Sequence, residues 1–416
     1  MPEICAKLFS LLEAFYVASR YDTVTMVETI TAETLRDMID ADEQFVLIDT
    51  RSPDSFEDWH IAGAENVEYS GDDDELIGEF DADDLEADDT VVTICATGNS
   101  ASSFATYLES EGVVDEVKTV EGGMEAWSMV YDVVPIATQN DDLVVLQLQR
   151  RSKGCLGYVV GSKRAGEAAL VDVTRATDVF LDAARERGLK VTNVLDTHIH
   201  ADHISRGRRL ADRLGVPYHL GAPAETRDPQ FEFDPIEPND TVELGDVEIK
   251  AVHTPGHTTG MTSYLVDGEA LLTGDTLFVE SIGRTELQFA DKDARDGARV
   301  QYETLHRVIM TESNDVKILP GHFSVTDDGE YIDVTPGQPM FSTVGYLWEN
   351  NEILRLDEDD FVEHMFENLP SKPPNYEQVI ATNAGEYEPA DEDEETELEL
   401  GPNRCAATSD SAVADD

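Results

Sequence analysis

Between Thr197 and His203 the chain reads Thr-His-Ile-His-Ala-Asp-His, which places three imidazoles and one carboxylate within six residues. In an extended segment side chains two apart share a face, so His198 and His200 are set to point the same way. Neutral imidazole and carboxylate are ligands for zinc and for iron. No packing requirement collects so many polar side chains in so short a stretch. Further donors follow at His257 in Thr-Pro-Gly-His, Asp275 in Thr-Gly-Asp and His322 in Leu-Pro-Gly-His. Each of these three stands beside a glycine, where a tight turn can present a side chain at a strand end.

A second kind of chemistry is offered by Cys95, in Cys-Ala-Thr-Gly-Asn-Ser-Ala. A cysteine that leaves a strand into a loop ahead of a helix N-terminus sits among inward-pointing amides, which stabilise a thiolate or a persulfide. The remaining cysteines, Cys5, Cys155 and Cys405, lie far apart and form no CxxC pair. The spacing therefore suggests neither a thiolate zinc site nor a disulfide framework, and it fits a reducing compartment. Cys155 falls in an expected strand and is read as a packed residue; Cys5 and Cys405 fall in ends expected to be disordered.

The elements that must position these groups are legible in outline. Phe45–Asp49 and Val91–Cys95 read as buried strands, and Ser100–Glu109 has helical spacing. Strands alternating with helices imply a parallel sheet covered on both faces, an α/β domain over 26–138. A second domain over 139–385 opens with strands expected at Leu143–Gln149, Gly157–Val160 and Ala168–Val173. A helix over Thr177–Arg187 and a strand over Thr192–Asp196 lead into the histidine-rich stretch. Further strands are expected at Val242–Val252, Thr262–Val266 and Ala270–Leu272, with helices over Ala294–Met310 and Asp359–Leu369. Residues 386–416 have almost nothing to bury and are expected to be a disordered acidic tail. Residues 1–25 are read as an N-terminal extension, with translation expected to begin at Met26.

With 416 residues, two domains are the expectation. A hydrophobic fraction of 41% suffices for globular cores, whereas 88 acidic against 29 basic residues give a net charge of −59. That balance argues against nucleic-acid or anionic-membrane binding through a basic face. The acid is spread along the chain, and Arg outnumbers Lys. Both suit a protein adapted to high salt, where screening relieves self-repulsion. No apolar run approaches the roughly 20 residues of a membrane helix, so the expected location is cytoplasmic. Self-association of so acidic a surface is expected only at high salt.

The pattern HxHxDH followed by His257, Asp275 and His322 resembles the metallo-β-lactamase superfamily, over about residues 140–385. The resemblance implies an αββα sandwich with metals at one edge of the paired sheets. It assigns His198, His200 and His257 to one ligand set and Asp202, His203 and His322 to another, with Asp275 able to bridge. His253 departs from the ligand positions and is read as structural. The run Gly283-Arg284-Thr285-Glu286 looks like the persulfide dioxygenase branch, in which one Fe(II) binds at the positions of His198, His257 and Asp275. Asp202, His203 and the rest then orient ligands or move protons, and Arg284 either meets a substrate carboxylate or holds its loop. Many members of that branch carry a cysteine near Ile282, where this chain has Ser281-Ile282.

Upstream, Leu47-Ile48-Asp49-Thr50-Arg51, His60-Ile61-Ala62-Gly63-Ala64 and Glu121-Gly122-Gly123-Met124-Glu125-Ala126-Trp127 resemble a rhodanese domain, whose catalytic position is Cys95. Rhodanese loops often carry Arg or Lys beside that cysteine, and this loop has none, which suits a persulfide carrier better than thiosulfate turnover. Together the resemblances imply a sulfur-metabolism enzyme that takes a low-molecular-weight thiol persulfide and O2 to sulfite and thiol, coupled to sulfur transfer at Cys95. The alternatives are a thioester hydrolase of glyoxalase II type with one or two Zn(II) ions, and a sulfur-carrier module without turnover. Tethering raises the effective concentration of one site's product at the other.

Overall fold

The structure is a computed structural model that describes residues 27–70, 75–77, 80, 85–288, 294–332, 334–367, 372–373, 375–401 and 406–407. The expected extension over 1–25 lies outside the described residues, as do Cys5 and Cys405. The chain divides into two compact units, one of residues 1–56 and 63–126, the other of residues 57–62 and 127–416.

The first unit is built on a parallel sheet. Its strands lie in the order Glu28–Ile30, Glu116–Val120, Thr90–Ile94, Val46–Asp49, Glu65–Asn66. Val91, Val92 and Ile94 are fully buried, as the apolar run requires of a central parallel strand. The helix Asn99–Glu111 buries Ala101, Phe104, Ala105 and Leu108, a three-and-four spacing that puts one stripe on the sheet. Glycines bracket it: Gly98 and Gly112 both have positive φ, where a side chain would be strained.

The second unit has two sheets packed face to face. The first runs in the order Asp234–Ile236, Tyr218–Gly221, Lys190–Leu195, Glu167–Val171, Leu156–Ser162, Leu143–Arg150, Tyr131–Ile136. The second runs Thr241–Leu244, Val247–His253, Thr262–Val266, Ala270–Gly274, Lys317–Pro320, Ser342–Thr343. Side chains alternate along each strand. Val145, Tyr158 and Val171 meet Ile249, Tyr264 and Leu272 between the sheets. Val144, Leu146 and Leu170 point the other way, onto Phe180 and Ala183 of the helix Thr177–Glu186. Leu271 and Ile318 likewise meet Ala298 and Leu305 of Ala294–Arg307 and Phe361 of Glu358–Glu367. The result is the four-layer αββα arrangement that the histidine pattern implied.

Three expectations change. Tyr131–Ile136 pairs antiparallel with Leu143–Arg150, so the chain has joined the second unit's sheet well before residue 139. The apolar run Val242–Val252 is a hairpin rather than one strand, turning at Gly245 with φ 62°. The acidic segment after Gly385 is not structureless: a helix spans Glu392–Glu399, with the Asp391 side chain accepting from the Glu394 amide. Composition hides the reason. Glu399 is buried between Arg150 at 3.1 Å and Arg175 at 3.0 Å, and Glu395 pairs with Arg206. Among the described residues no helix is long and apolar enough to cross a membrane.

Burial opposes ionisation of Glu399, but Arg150 and Arg175 override it and hold the carboxyl below the usual glutamate range. Such a group contributes stability above its unfolded pKa of about 4.3 and loses it as pH falls through the lower folded value. Glu399→Ala leaves Arg150 buried without its counter-ion. It should destabilise the second unit by about 3–5 kcal/mol near neutral pH, with the gap to wild type closing as pH drops below about 4. Calorimetric unfolding across pH measures both.

Candidate metal centre

All seven donors singled out in the sequence lie in segments that follow strands at one edge of the sandwich. His198, His200, Asp202 and His203 follow Lys190–Leu195; His257 follows Val247–His253; Asp275 follows Ala270–Gly274; His322 follows Lys317–Pro320. These strands run the same way within their sheets, so their C-terminal ends converge. Every one of the seven side chains is at most 4% exposed.

His198, His257 and Asp275 form one cluster, their ligand atoms within 4.8 Å of one another. His257 Nε2 lies 3.5 Å and His198 Nε2 3.9 Å from Asp275 Oδ2. Each imidazole is oriented from behind. His257 Nδ1 donates to the Arg284 carbonyl at 2.6 Å, which leaves Nε2 as the lone-pair nitrogen. The Thr197 hydroxyl donates to Asp172 Oδ2 at 3.1 Å, so its oxygen is free to accept from His198 Nδ1 at 3.0 Å. Burial and the neighbouring His200 hold His198 well below the usual histidine range. Burial lowers His257 too, against the pull of Asp275. Both are therefore neutral ligand-type imidazoles, while Asp275, despite its burial, is kept ionised by His322 and His257. His198 Nε2 and Asp275 Oδ2 are buried with no hydrogen-bond partner. Buried polar atoms are rarely left so, and a cation would satisfy both.

His200 does not complete this cluster, although the resemblance put it there. Its ring lies 4.2 Å from that of His198, but its Nε2 faces Asp172 Oδ1 at 3.3 Å, and Asp196 joins that pair. Asp172 has φ 53°, an uncommon conformation for a residue with a side chain, and its Oδ1 accepts from the Thr197 amide at 2.7 Å. Neither Asp172 nor Asp196 was found from sequence. Each follows a strand as an isolated acid, and only the fold brings them to the histidines.

The second expected set does assemble. Asp202, His203 and His322 lie together, and Cys155 lies with them. His322 spans two carboxylates, Nε2 to Asp202 Oδ2 at 2.9 Å and Nδ1 to Asp275 Oδ1 at 2.8 Å. Burial opposes charge on His322, but Asp275 and Asp202 override it and raise its pKa well above the usual range. Cys155, read as a packed strand residue, is instead at the centre, its Sγ 3.3 Å from Asp202 Oδ2. The CxxC criterion could not find it, because its partners come from other strands.

Of the two roles expected of Arg284, its placement matches holding the loop. Its side chain is 1% exposed and ion-paired with Glu286, and its carbonyl is what orients His257. The loop approaches so closely that a Cβ on Gly283 would lie 1.7 Å from the Asp275 carbonyl oxygen. The motif loop is tied from the C-terminal side as well. Asn383 Nδ2 donates to the carbonyls of His200 at 2.9 Å and His203 at 2.7 Å, and the Ile204 amide donates to Glu399. His253 bonds the Thr259 carbonyl at 3.0 Å, a structural placement.

In the first unit Cys95 ends the strand Thr90–Ile94 and is 4% exposed. The Gly98 amide donates to its Sγ at 3.1 Å. Gly123 backs the loop so tightly that a Cβ there would lie 2.1 Å from the Cys95 carbonyl oxygen. A pocket of about 820 Å³ beside Cys95 is lined by Thr50, Arg51, Tyr69 and Ser100 among others. The loop itself has no basic residue, yet folding brings Arg51 to the pocket wall. Its guanidinium is already bound to Asp49, at 2.6 Å.

Comparison with known proteins agrees with this geometry. A family model of the rhodanese-like domain matches residues 31–129, and one of the metallo-beta-lactamase superfamily matches residues 153–322. An uncharacterized protein of Mycobacterium leprae is 31% identical over 202 residues, which is 42% of this chain and 89% of that protein. The mitochondrial persulfide dioxygenase ETHE1 of Homo sapiens is 28% identical over 234 residues, 54% of this chain and 82% of that protein. The crystal structure of a metallo-beta-lactamase from Staphylococcus aureus shares the fold with a TM-score of 0.53 and 24% identity, over 60% of this chain and 74% of that one.

The orientation of His198 through Thr197 gives a test. Thr197→Val removes the oxygen that receives the Nδ1 proton and should weaken divalent-metal binding about 10–100-fold, read by competition with a chromogenic chelator.

Proposed function

Because the chain belongs to the metallo-β-lactamase superfamily, with a rhodanese-like domain ahead of that fold, we propose that it is an iron-dependent persulfide dioxygenase coupled to sulfur transfer at Cys95. The reaction is RS–SH + O2 + H2O → RSH + H2SO3. The persulfide passes four electrons to O2, the S–S bond breaks, and the terminal sulfur leaves as sulfite. The observation that carries this reading is the three-donor cluster of His198, His257 and Asp275. Two imidazoles and one carboxylate are the donor set of mononuclear non-haem Fe(II) oxygenases, where the metal supplies open positions for O2 and substrate and the electron-transfer chemistry that O2 requires. The similarity to persulfide dioxygenase ETHE1 supports the same reading.

The chain's own residues then have distinct tasks. Thr197 and the Arg284 carbonyl fix the two imidazoles with Nε2 forward. His322, hydrogen-bonded to Asp275, fixes that carboxylate and is placed to hold a proton beside it. A cavity of about 270 Å³ reaches His198 and His200, and Arg206, Arg208 and Arg209 stand in its wall. In the first unit, Cys95 accepts sulfane sulfur as Cys95–S–SH, the donor leaving as its thiolate or sulfite, and passes that sulfur to a second thiol. The Gly98 amide faces the sulfur that this exchange loads.

A second reading is a zinc-dependent thioester hydrolase. It is favoured by the intact Asp202, His203 and His322 cluster, in which Asp202 Oδ1 and His203 Nε2 are buried and without partners. Metal analysis of protein purified anaerobically in molar salt, paired with O2 consumption on a thiol persulfide, separates the two. About one iron per chain with O2 uptake and sulfite release is expected. Zinc without iron, no O2 uptake and thioester cleavage would replace the dioxygenase by the hydrolase. His257→Ala should abolish sulfite formation and leave persulfide loading of Cys95, followed by mass spectrometry, unchanged. Joint loss would overturn the two-site assignment.

A further inference from the structure

O2 is apolar, so a place that gathers it is a small space walled by carbon. One such space lies in the second unit, beside the metal centre and apart from the cavity that reaches His198; no residue lines both. Its volume is about 50 Å³, and Phe278, Pro320, Phe323, Val334 and Met340 line it together with the buried His322. Ile332, 45% exposed, and the exposed Glu280 mark its mouth.

The backbone polar groups of this wall are largely engaged elsewhere. The Tyr158 hydroxyl donates to the Pro320 carbonyl at 2.5 Å. Gln147 holds both backbone groups of Met340, donating to its carbonyl at 2.8 Å and accepting from its amide at 2.9 Å. The Phe278 amide donates to the Ser281 carbonyl at 3.0 Å, and the Phe323 amide to the Gly154 carbonyl at 3.0 Å. His322 engages Asp202 and Asp275 through its two ring nitrogens. The apolar residues therefore present carbon to the space, and Glu280, Ser281 and Ser324 supply the polar remainder of the lining. The same hydrogen bonds fix the wall, so the space is preformed.

Size selects the occupant. A volume of about 50 Å³ exceeds the roughly 10–15 Å³ that one water requires. It is far below the roughly 300 Å³ at which sites for organic ligands begin. A thiol persulfide does not fit; a diatomic gas does. Placement agrees with that choice. Phe278 presents its ring edge to His322 with centroids 6.0 Å apart, and His322 Nδ1 lies 2.8 Å from Asp275 Oδ1. One residue and one hydrogen bond separate the space from the His198, His257 and Asp275 cluster.

We propose that this apolar cavity is a holding site for O2, from which the gas reaches the cluster while the larger cavity beside His198 is left to the persulfide. The role rests on the dioxygenase reading. Separate places for the two substrates let a bound persulfide leave the supply of O2 open.

Xenon is the probe, because apolar cavities take it up and it reads the site without turnover. Crystals of the full-length protein under xenon pressure should show xenon among Phe278, Phe323 and Met340. Val334→Trp should fill the space and remove it. In the same variant, loaded with iron, kcat/KM for O2 should fall by at least about fivefold, while kcat/KM for the persulfide at saturating O2 changes by less than about twofold. No xenon in the wild-type cavity, or an unchanged kcat/KM for O2 in a variant that has lost xenon, would overturn the proposal. Equal losses for both substrates would overturn it too, because a filled holding site acts on O2 alone. Ile332→Trp, at the exposed mouth where a large ring disturbs the core little, decides the matter by the same readings if Val334→Trp does not fold. Wild-type protein that binds xenon there yet consumes no O2 would overturn the dioxygenase reading and the role of O2 with it, whereas the other results overturn the holding site alone.

Discussion

Charge buried at the edge of the sandwich is the constraint on which the site depends. Asp172, Asp202 and Asp275 are almost wholly removed from water, and so are His198, His200, His203, His257 and His322. An isolated buried charge is costly enough that each of these groups must find a partner or lose its proton balance. His322 meets this demand for two carboxylates at once, lying between Asp202 and Asp275. His198 and His257 escape it by staying neutral, which is also the state in which imidazole binds a metal. The atoms still without partners, among them His198 Nε2, Asp275 Oδ2, Asp202 Oδ1 and His203 Nε2, are atoms that a bound cation would satisfy.

The same constraint reaches outward into the C-terminal segment. Arg150 is fully buried behind the motif loop and requires a counter-charge, which arrives some 249 residues later as Glu399. Glu399 also accepts from the Ile204 amide, and Lys153 Nζ donates to its carbonyl at 2.8 Å. Acidic residues that composition marks as solvated therefore serve as internal ligands for arginine and lysine. Asn383 adds its two hydrogen bonds to the loop carbonyls. The loop bearing His200, Asp202 and His203 is thus held by side chains from the far end of the chain, which is what a metal site needs if its donors are to be preorganised.

The rhodanese-like unit presents its cysteine by local means. Cys95 ends a buried strand, the next turn is closed by Gly98, and the helix Asn99–Glu111 starts immediately. Nothing distant is required beyond Gly123, whose missing side chain lets its backbone close on the Cys95 carbonyl. A segment of this kind is readable in sequence because strand, loop and helix are consecutive. The fold adds only the pocket wall, where Arg51 stands already committed to Asp49.

By itself the sequence determined the two fold classes, most of the strands and the identity of all seven clustered donors. Those features follow from hydrophobic period and from glycine-flanked ligands, which are local properties of the chain. It did not determine how the donors divide. The contact of His200 with Asp172 depends on a parallel strand register, and Cys155 reaches Asp202 because Gly154 lets its segment close on Phe323. The order of the acidic tail was equally hidden, since net charge per residue does not reveal which glutamates meet a buried arginine. Distances between groups remote in sequence are set by packing, and it was packing that made Arg284 a positioning residue for His257 and Glu399 a clamp on the metal loop.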